Sequence, residues 1–81
     1  SLHYHPKKME SFMCIKGLVI LFIQQKEELK SYRMEKNDCV ITLMPGTIHA
    51  FQGLTEGAIL LEISTTHSDE DVVRLTESTG G

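Results

Sequence analysis

The stretch His3-Tyr4-His5-Pro6-Lys7-Lys8-Met9-Glu10-Ser11-Phe12-Met13-Cys14-Ile15-Lys16-Gly17 sets two histidines one residue apart, then a turn, then an alternating run closed by glycine. On a β-strand, side chains two apart share a face, so the His3 and His5 imidazoles stand about 6.5–7 Å from each other. A divalent ion between them could take one nitrogen from each. Beyond the Pro6 turn, Glu10 begins an apolar run in which Phe12 and Cys14 share its face. If the two strands pair as a hairpin, the Glu10 carboxylate lies across from the imidazoles. A fourth candidate, His49, follows the Pro45-Gly46 turn and precedes Phe51. Three imidazoles and a carboxylate suit Zn, Mn, Fe, Ni or Cu, whereas Ca and Mg prefer oxygen shells. Four ligands on one side of the ion leave positions open for water or substrate, as in a working site. Taken singly, His3-x-His5 reads as surface decoration, His49 as a polar strand start and Glu10 as a solvated charge. Their joint spacing argues for a centre.

Outward from this stretch, short apolar segments recur about every ten residues between turn residues, the spacing of a small all-β sandwich or barrel. Turns fall at Pro6-Lys7-Lys8, near Gly17, at Lys36-Asn37-Asp38, at Pro45-Gly46 and from Gly53 to Gly57. Strands are expected around residues 1–5, 10–16, 18–24, 29–35, 39–44, 48–52 and 58–64. A polar segment from Ser64 to Asp71 leads to Val72-Val73-Arg74-Leu75. The stretch Gln24–Lys36 is rich in helix-favouring residues, yet Tyr32 and Met34 alternate with Arg33 and Glu35, and strand is the better reading.

A chain of 81 residues supports one domain, read as residues 1–75 with a flexible tail over 76–81. So short a chain buries only about 60% of its unfolded surface, which makes a metal or a partner subunit a natural aid. A net charge of −3, without a basic stripe, argues against a nucleic-acid partner. The longest apolar run, Leu18–Ile23, is far below the roughly 20 residues that cross a bilayer. Cys14 and Cys39 lie in strand-like runs and read as buried free thiols, too few for a disulfide framework. With no secretory signal, a cytoplasmic protein is expected.

The pattern His3-x-His5-x4-Glu10-x6-Gly17 resembles the first motif of the cupin superfamily at every fixed position. Met44-Pro45-Gly46-Thr47-Ile48-His49 resembles the second: Gly46 and His49 fit, Pro45 falls one place late, and Gly53 stands where the family has Asn. Asn37-Asp38 takes the place of the family's Gly-Asp with one residue extra, which a bulge in the strand from Cys39 to Met44 would absorb. The resemblance implies a small antiparallel β-barrel of the cupin, or double-stranded β-helix, type. Its metal would be Mn, Zn, Fe or Ni, held at one mouth by His3, His5, Glu10 and His49. Cupins carry strands ahead of the HxH strand, whereas only Ser1 and Leu2 precede it here. Either upstream strands are missing from this chain or a partner subunit supplies the missing edge. The barrel is expected to be open on one side and to pair as a homodimer through sheet extension or packing.

Leu61 to Leu75, with Glu62-x-Ser64-Thr65-x-His67, resembles the closing strand and tail of sugar-handling cupins. That resemblance implies a metal-dependent isomerase or epimerase of a small sugar or sugar phosphate, with Glu62 as the proton-transferring group, its affinity for protons raised by burial. Lys8 would neutralise an oxyanion or reach a phosphate, although a lysine in a turn is more often solvated. The alternatives are a carbohydrate-binding or regulatory module without catalysis and an Fe-dependent dioxygenase. Strand parity decides between enzyme and binder: Leu60, Glu62 and Ser64 share one face and Ile59, Leu61 and Ile63 the other.

Overall fold

Leu18–Gln25, the most apolar segment, alternates half-buried and fully buried residues, with Val19, Leu21 and Ile23 turned to the core. In the computed structural model, which describes residues 2–36, 40–65 and 68–75, this segment lies inside a five-stranded sheet. The strands are β1 (His3–Tyr4), β2 (Glu10–Lys16), β3 (Leu18–Gln25), β4 (Glu28–Glu35), β5 (Ile41–Leu43), β6 (His49–Gly53), β7 (Ile59–Ser64) and β8 (Val73–Arg74). The larger sheet has the order β4-β3-β6-β1-β8 and the smaller β5-β2-β7, every pairing antiparallel. No helix occurs among the described residues, and so none long and apolar enough to cross a membrane. The fold is the all-β antiparallel barrel of the cupin type expected from the sequence.

The core lies between the sheets. Phe12 and Cys14 of β2 and Leu43 of β5 meet Val19, Leu21 and Ile23 of β3 and Met34 of β4. Cys14 is a buried free thiol whose Sγ–H reaches the Lys16 and Gly17 carbonyls, at 3.3 and 3.4 Å. Cys39 lies outside the described residues.

Helix-favouring chemistry over residues 24–36 loses to pairing. Gln25 and Glu28 face each other around the Lys26-Glu27 tip, where Lys26 takes a left-handed backbone (φ 57°), and β3 pairs with β4 along its whole length. Tyr32 and Met34 do alternate with charged neighbours, but only Met34 is buried.

Two expectations are corrected. The strands flanking Pro6 do not form a hairpin: β1 pairs with β6 and β8, and β2 with β5 and β7. The Pro6–Met9 turn instead carries the chain from one sheet to the other, and the first strand shortens to His3–Tyr4. Second, β5 pairs with β2 in unbroken register from Ile41 to Leu43, so no bulge falls within these three residues of the segment from Cys39 to Met44. The register shift falls on β2, between Cys14 and Lys16 opposite β7.

Gly17 joins β2 to β3 at φ 75°, and a Cβ there would run into Thr55 Oγ1 and crowd the Ala58 backbone at 3.1 Å. Thr55 Oγ1 is the acceptor for the Leu18 N–H at 3.0 Å, so it cannot retreat without leaving that donor unpaired. Gly17→Ala is expected to cost about 2–4 kcal/mol, the left-handed penalty plus overpacking. A urea midpoint within error of the parent's would refute this.

Candidate metal centre and active site

Sheet geometry, rather than a hairpin, gathers the histidines. β1 and β6 are neighbours with His3 opposite His49. Their rings lie 4.4 Å apart between centroids, and His5 adds a third ring 5.1 Å from His3 and 5.7 Å from His49. One nitrogen from each imidazole falls within 4.8 Å of the others. Glu10 comes from the opposite sheet, with its Oε1 3.3 Å from His5 Nε2 and 3.4 Å from His49 Nε2. The four groups that the sequence brought together by spacing thus meet across the barrel.

The second motif supports the cluster through its turn. Thr47 N–H donates to the Met44 carbonyl at 3.2 Å around Pro45-Gly46, with Gly46 at φ 85°, the type II arrangement of Pro followed by Gly. Gly46 N–H then donates to the His5 carbonyl at 2.9 Å, tying this turn to the His3-x-His5 segment.

Hydrogen bonds to backbone orient two of the rings. His5 Nδ1 is 2.7 Å from the Asp71 carbonyl and His49 Nδ1 is 2.8 Å from the Thr47 carbonyl. A carbonyl only accepts, so each Nδ1 carries a proton and each Nε2 is the nitrogen turned toward Glu10 Oε1. Burial pushes His49 down to about 4, against the opposing pull of its bond to Thr47, so the ring is neutral at physiological pH. Burial also holds the Glu10 carboxyl above its usual range; His5 and Lys8 pull it down, while Glu62 raises it further.

Lone pairs from two rings and a carboxylate oxygen converging on one point repel each other unless a cation or a proton lies between them. A carbonyl behind the ring of a ligating histidine is the usual support of a metal centre. The residues present therefore fit a divalent first-row ion.

Beside this cluster is a cavity of about 270 Å³ whose walls include Phe12, Phe51, Leu60, Lys8 and Glu62. The turn lysine is not solvated: Lys8 is 5% exposed, and its Nζ lies 3.6 Å from both Glu10 Oε2 and Glu62 Oε2. Parity resolves in favour of Glu62 facing the cavity. β7 pairs with β2 so that Glu62 sits opposite Phe12, Leu60 opposite Cys14 and Ser64 opposite Glu10, all three partners being buried. Ile59, Leu61 and Ile63 face outward, the last 68% exposed. Glu62 itself keeps 42% exposure, so it stands at the cavity mouth rather than buried as expected. A wider hollow of about 770 Å³ beside the β3–β4 tip is lined by Gln25–Glu28 and Lys30. These are all exposed, with no convergent chemistry.

Sequence reasoning missed Asp71, which is 7% exposed and accepts the Lys7 and Lys8 N–H groups at 2.9 and 3.0 Å. Its only signal was an acidic residue just ahead of an apolar pair, opposite a turn whose amides need acceptors. His67, quoted for the tail resemblance, lies outside the described residues.

No family model matches the chain. Over 81 aligned residues it is 35% identical to the D-lyxose ketol-isomerase of Cohnella laeviribosi, a match that takes in 80% of this chain and 44% of that enzyme. QdtA, a sugar 3,4-ketoisomerase from Thermoanaerobacterium thermosaccharolyticum solved in complex with TDP, superposes with a TM-score of 0.80 at 25% identity, covering 89% of this chain and 53% of QdtA. The capsular polysaccharide assembling protein CapF from Staphylococcus aureus superposes with a TM-score of 0.73 over 88% of this chain and 21% of CapF. At 16% identity it shares the fold alone. The chain is thus similar to sugar ketoisomerases and spans about half the length of those it matches.

Proposed function

We propose that the protein is a cupin that isomerises or epimerises a sugar or sugar phosphate, with a divalent metal held by His3, His5, Glu10 and His49. The observation that carries this reading is the convergence of three imidazole nitrogens and the Glu10 carboxylate beside a cavity that also holds Glu62 and Lys8. Similarity to a D-lyxose ketol-isomerase and to a sugar 3,4-ketoisomerase supports the same reaction class. When bound, the ion would act as a Lewis acid on the carbonyl and neighbouring hydroxyl oxygens of the sugar.

The remaining work falls to the chain's own groups. Glu62, at the cavity mouth, takes the proton from the hydroxyl-bearing carbon beside the carbonyl and returns it to the former carbonyl carbon. The hydroxyl proton passes to the former carbonyl oxygen, so that the two groups exchange places. The Lys8 ammonium lies between Glu62 and Glu10 and offsets the negative charge that develops on the sugar oxygens. Phe12, Phe51 and Leu60 form an apolar wall that limits water around the reacting carbons.

The homodimer is proposed to form at the smaller sheet. Its outer face carries Met13, Leu61 and Ile63, and β7 is an unpaired edge among the described strands.

The test is metal analysis of protein purified without added metal, then reloading with Mn or Zn. A screen of pentoses, hexoses, their phosphates and TDP-linked sugars for aldose–ketose or keto-position exchange follows. Near one ion per chain and turnover on one sugar class is expected. Metal uptake and sugar affinity without turnover would favour the carbohydrate-binding module, and absence of metal uptake would remove both the site and the mechanism.

A further inference from the structure

Asp71 belongs to none of the groups placed in the chemistry above, yet it is among the most buried charged residues described. Both its carboxylate oxygens are committed: Oδ1 accepts from Lys7 N–H at 2.9 Å and Oδ2 from Lys8 N–H at 3.0 Å. Its main-chain carbonyl takes the Nδ1–H of His5 at 2.7 Å. Asp71 N–H in turn donates to the Ser68 carbonyl at 2.9 Å, closing a tight turn that presents the residue. Directly after it, β8 pairs with β1, with Tyr4 opposite Val73 and His3 opposite Arg74, and Leu75 N–H donates to the Leu2 carbonyl at 2.8 Å. One short strap therefore grips the His3-to-Lys8 segment on both sides of Pro6.

We infer that Asp71 is a positioning residue that sets two groups of the centre at once: the His5 ring through its carbonyl, and the buried Lys8 ammonium through its carboxylate. The inference rests on the proposed metal reading for its consequence, though not for its geometry. Lys7 and Lys8 lie in the turn that crosses between the sheets, where their amides have no strand partner. A neutral or solvated acceptor would leave the turn free to swing, and with it the Lys8 side chain that enters the cavity between Glu10 and Glu62. A carboxylate with two lone-pair directions holds both amides, and charge-assisted bonds are the stronger kind. Asn at this position keeps one acceptor and turns an NH2 toward the other N–H, which breaks half of the clamp with almost no change of volume.

The experiment compares the parent with Asp71→Asn and with Val19→Ala, a core truncation on β3 that lowers stability without touching the turn. Two readouts are followed: Co2+ affinity with its visible d–d spectrum, and acetylation of Lys8 relative to the exposed Lys7 in metal-free protein by limiting N-hydroxysuccinimidyl acetate and peptide mass spectrometry. Asp71→Asn keeps the carbonyl facing His5 but loosens the turn that holds it in place. Its Co2+ dissociation constant is expected to rise about 10-fold, the lower end of the cost of disturbing the support behind a ligand. Its spectrum changes and Lys8 loses its protection. Val19→Ala should leave affinity and protection at parental values even where its melting temperature falls as far. Parental affinity and protection in Asp71→Asn, or equal losses in the two variants, would overturn the inference. A parent that binds no Co2+ would defeat the metal reading alone. The labelling then decides the clamp: Lys8 exposed in Asp71→Asn upholds it, and Lys8 still protected overturns it.

Discussion

Glu62→Gln is expected to lower turnover by roughly 10²–10⁴-fold, the contribution a positioned general base makes to proton transfer, while metal content and sugar affinity stay close to the parent's. The reasoning is geometric. Glu62 faces the cavity beside the histidine cluster without entering the proposed ligand set. It keeps enough solvent contact to exchange its proton, and Lys8 Nζ at 3.6 Å orients it. Glutamine preserves size and a polar contact but cannot carry the proton. The loss should therefore fall on kcat, with KM little changed. An unaltered kcat would take Glu62 out of the mechanism and leave the carbohydrate-binding module as the better account. A fall in metal content would instead place Glu62 among the ligands.

His5→Ala is expected to abolish metal binding and turnover together. His5 is the ring that closes the centre on the Pro6 side, with Nε2 toward Glu10 and Nδ1 held by the Asp71 carbonyl. Deleting a ligand should cost more than the roughly 10–100-fold that accompanies loss of a supporting group. The side chain is mostly buried, at 11% exposed, but it lines the cavity beside the centre. Its loss widens an existing polar hollow rather than the apolar core, so the barrel should fold. Equilibrium dialysis against Zn or Mn, beside a circular dichroism spectrum of the variant, checks both halves. Full metal occupancy in a folded His5→Ala protein would count against the assignment.

What could be read from the residues follows physical range. Strands such as β2, β3 and β7 were legible within a residue or two, because half-buried strands imprint a two-residue alternation on local sequence. The residues of the centre were legible as a set, since His3-x-His5, Glu10 and His49 are chemically specific. Which strand β1 would pair with was not legible: His3 meets His49 and Arg74, and no local chemistry encodes a partner that distant. The hairpin expectation failed for that reason. It still put Glu10 near the imidazoles, because a turn that crosses between sheets brings the following strand over the same interior. The burial of Lys8 was hidden likewise, since it depends on Asp71 some sixty residues away. The side from which Glu62 enters came only with the register of β7 against β2.

The position of β1 also bears on the order in which the molecule can assemble. Its two residues are held by β6 on one side and β8 on the other, so β1 has no neighbouring strand until β6 exists and is flanked on both sides only once the last described strand is made. Loop closure over such separations is slow and is repaid only late. A nascent chain that already carries all four metal donors therefore has the β3–β4 hairpin, whose contacts are local, but not yet a binding centre. Premature ion capture by the unfinished chain is thereby disfavoured. Linking Leu2 to Leu75, neighbours in the sheet, and reopening the chain at the Lys26-Glu27 tip would make β1–β8 local but β3–β4 the most distant pairing. Such a permutant should fold more slowly around the same centre.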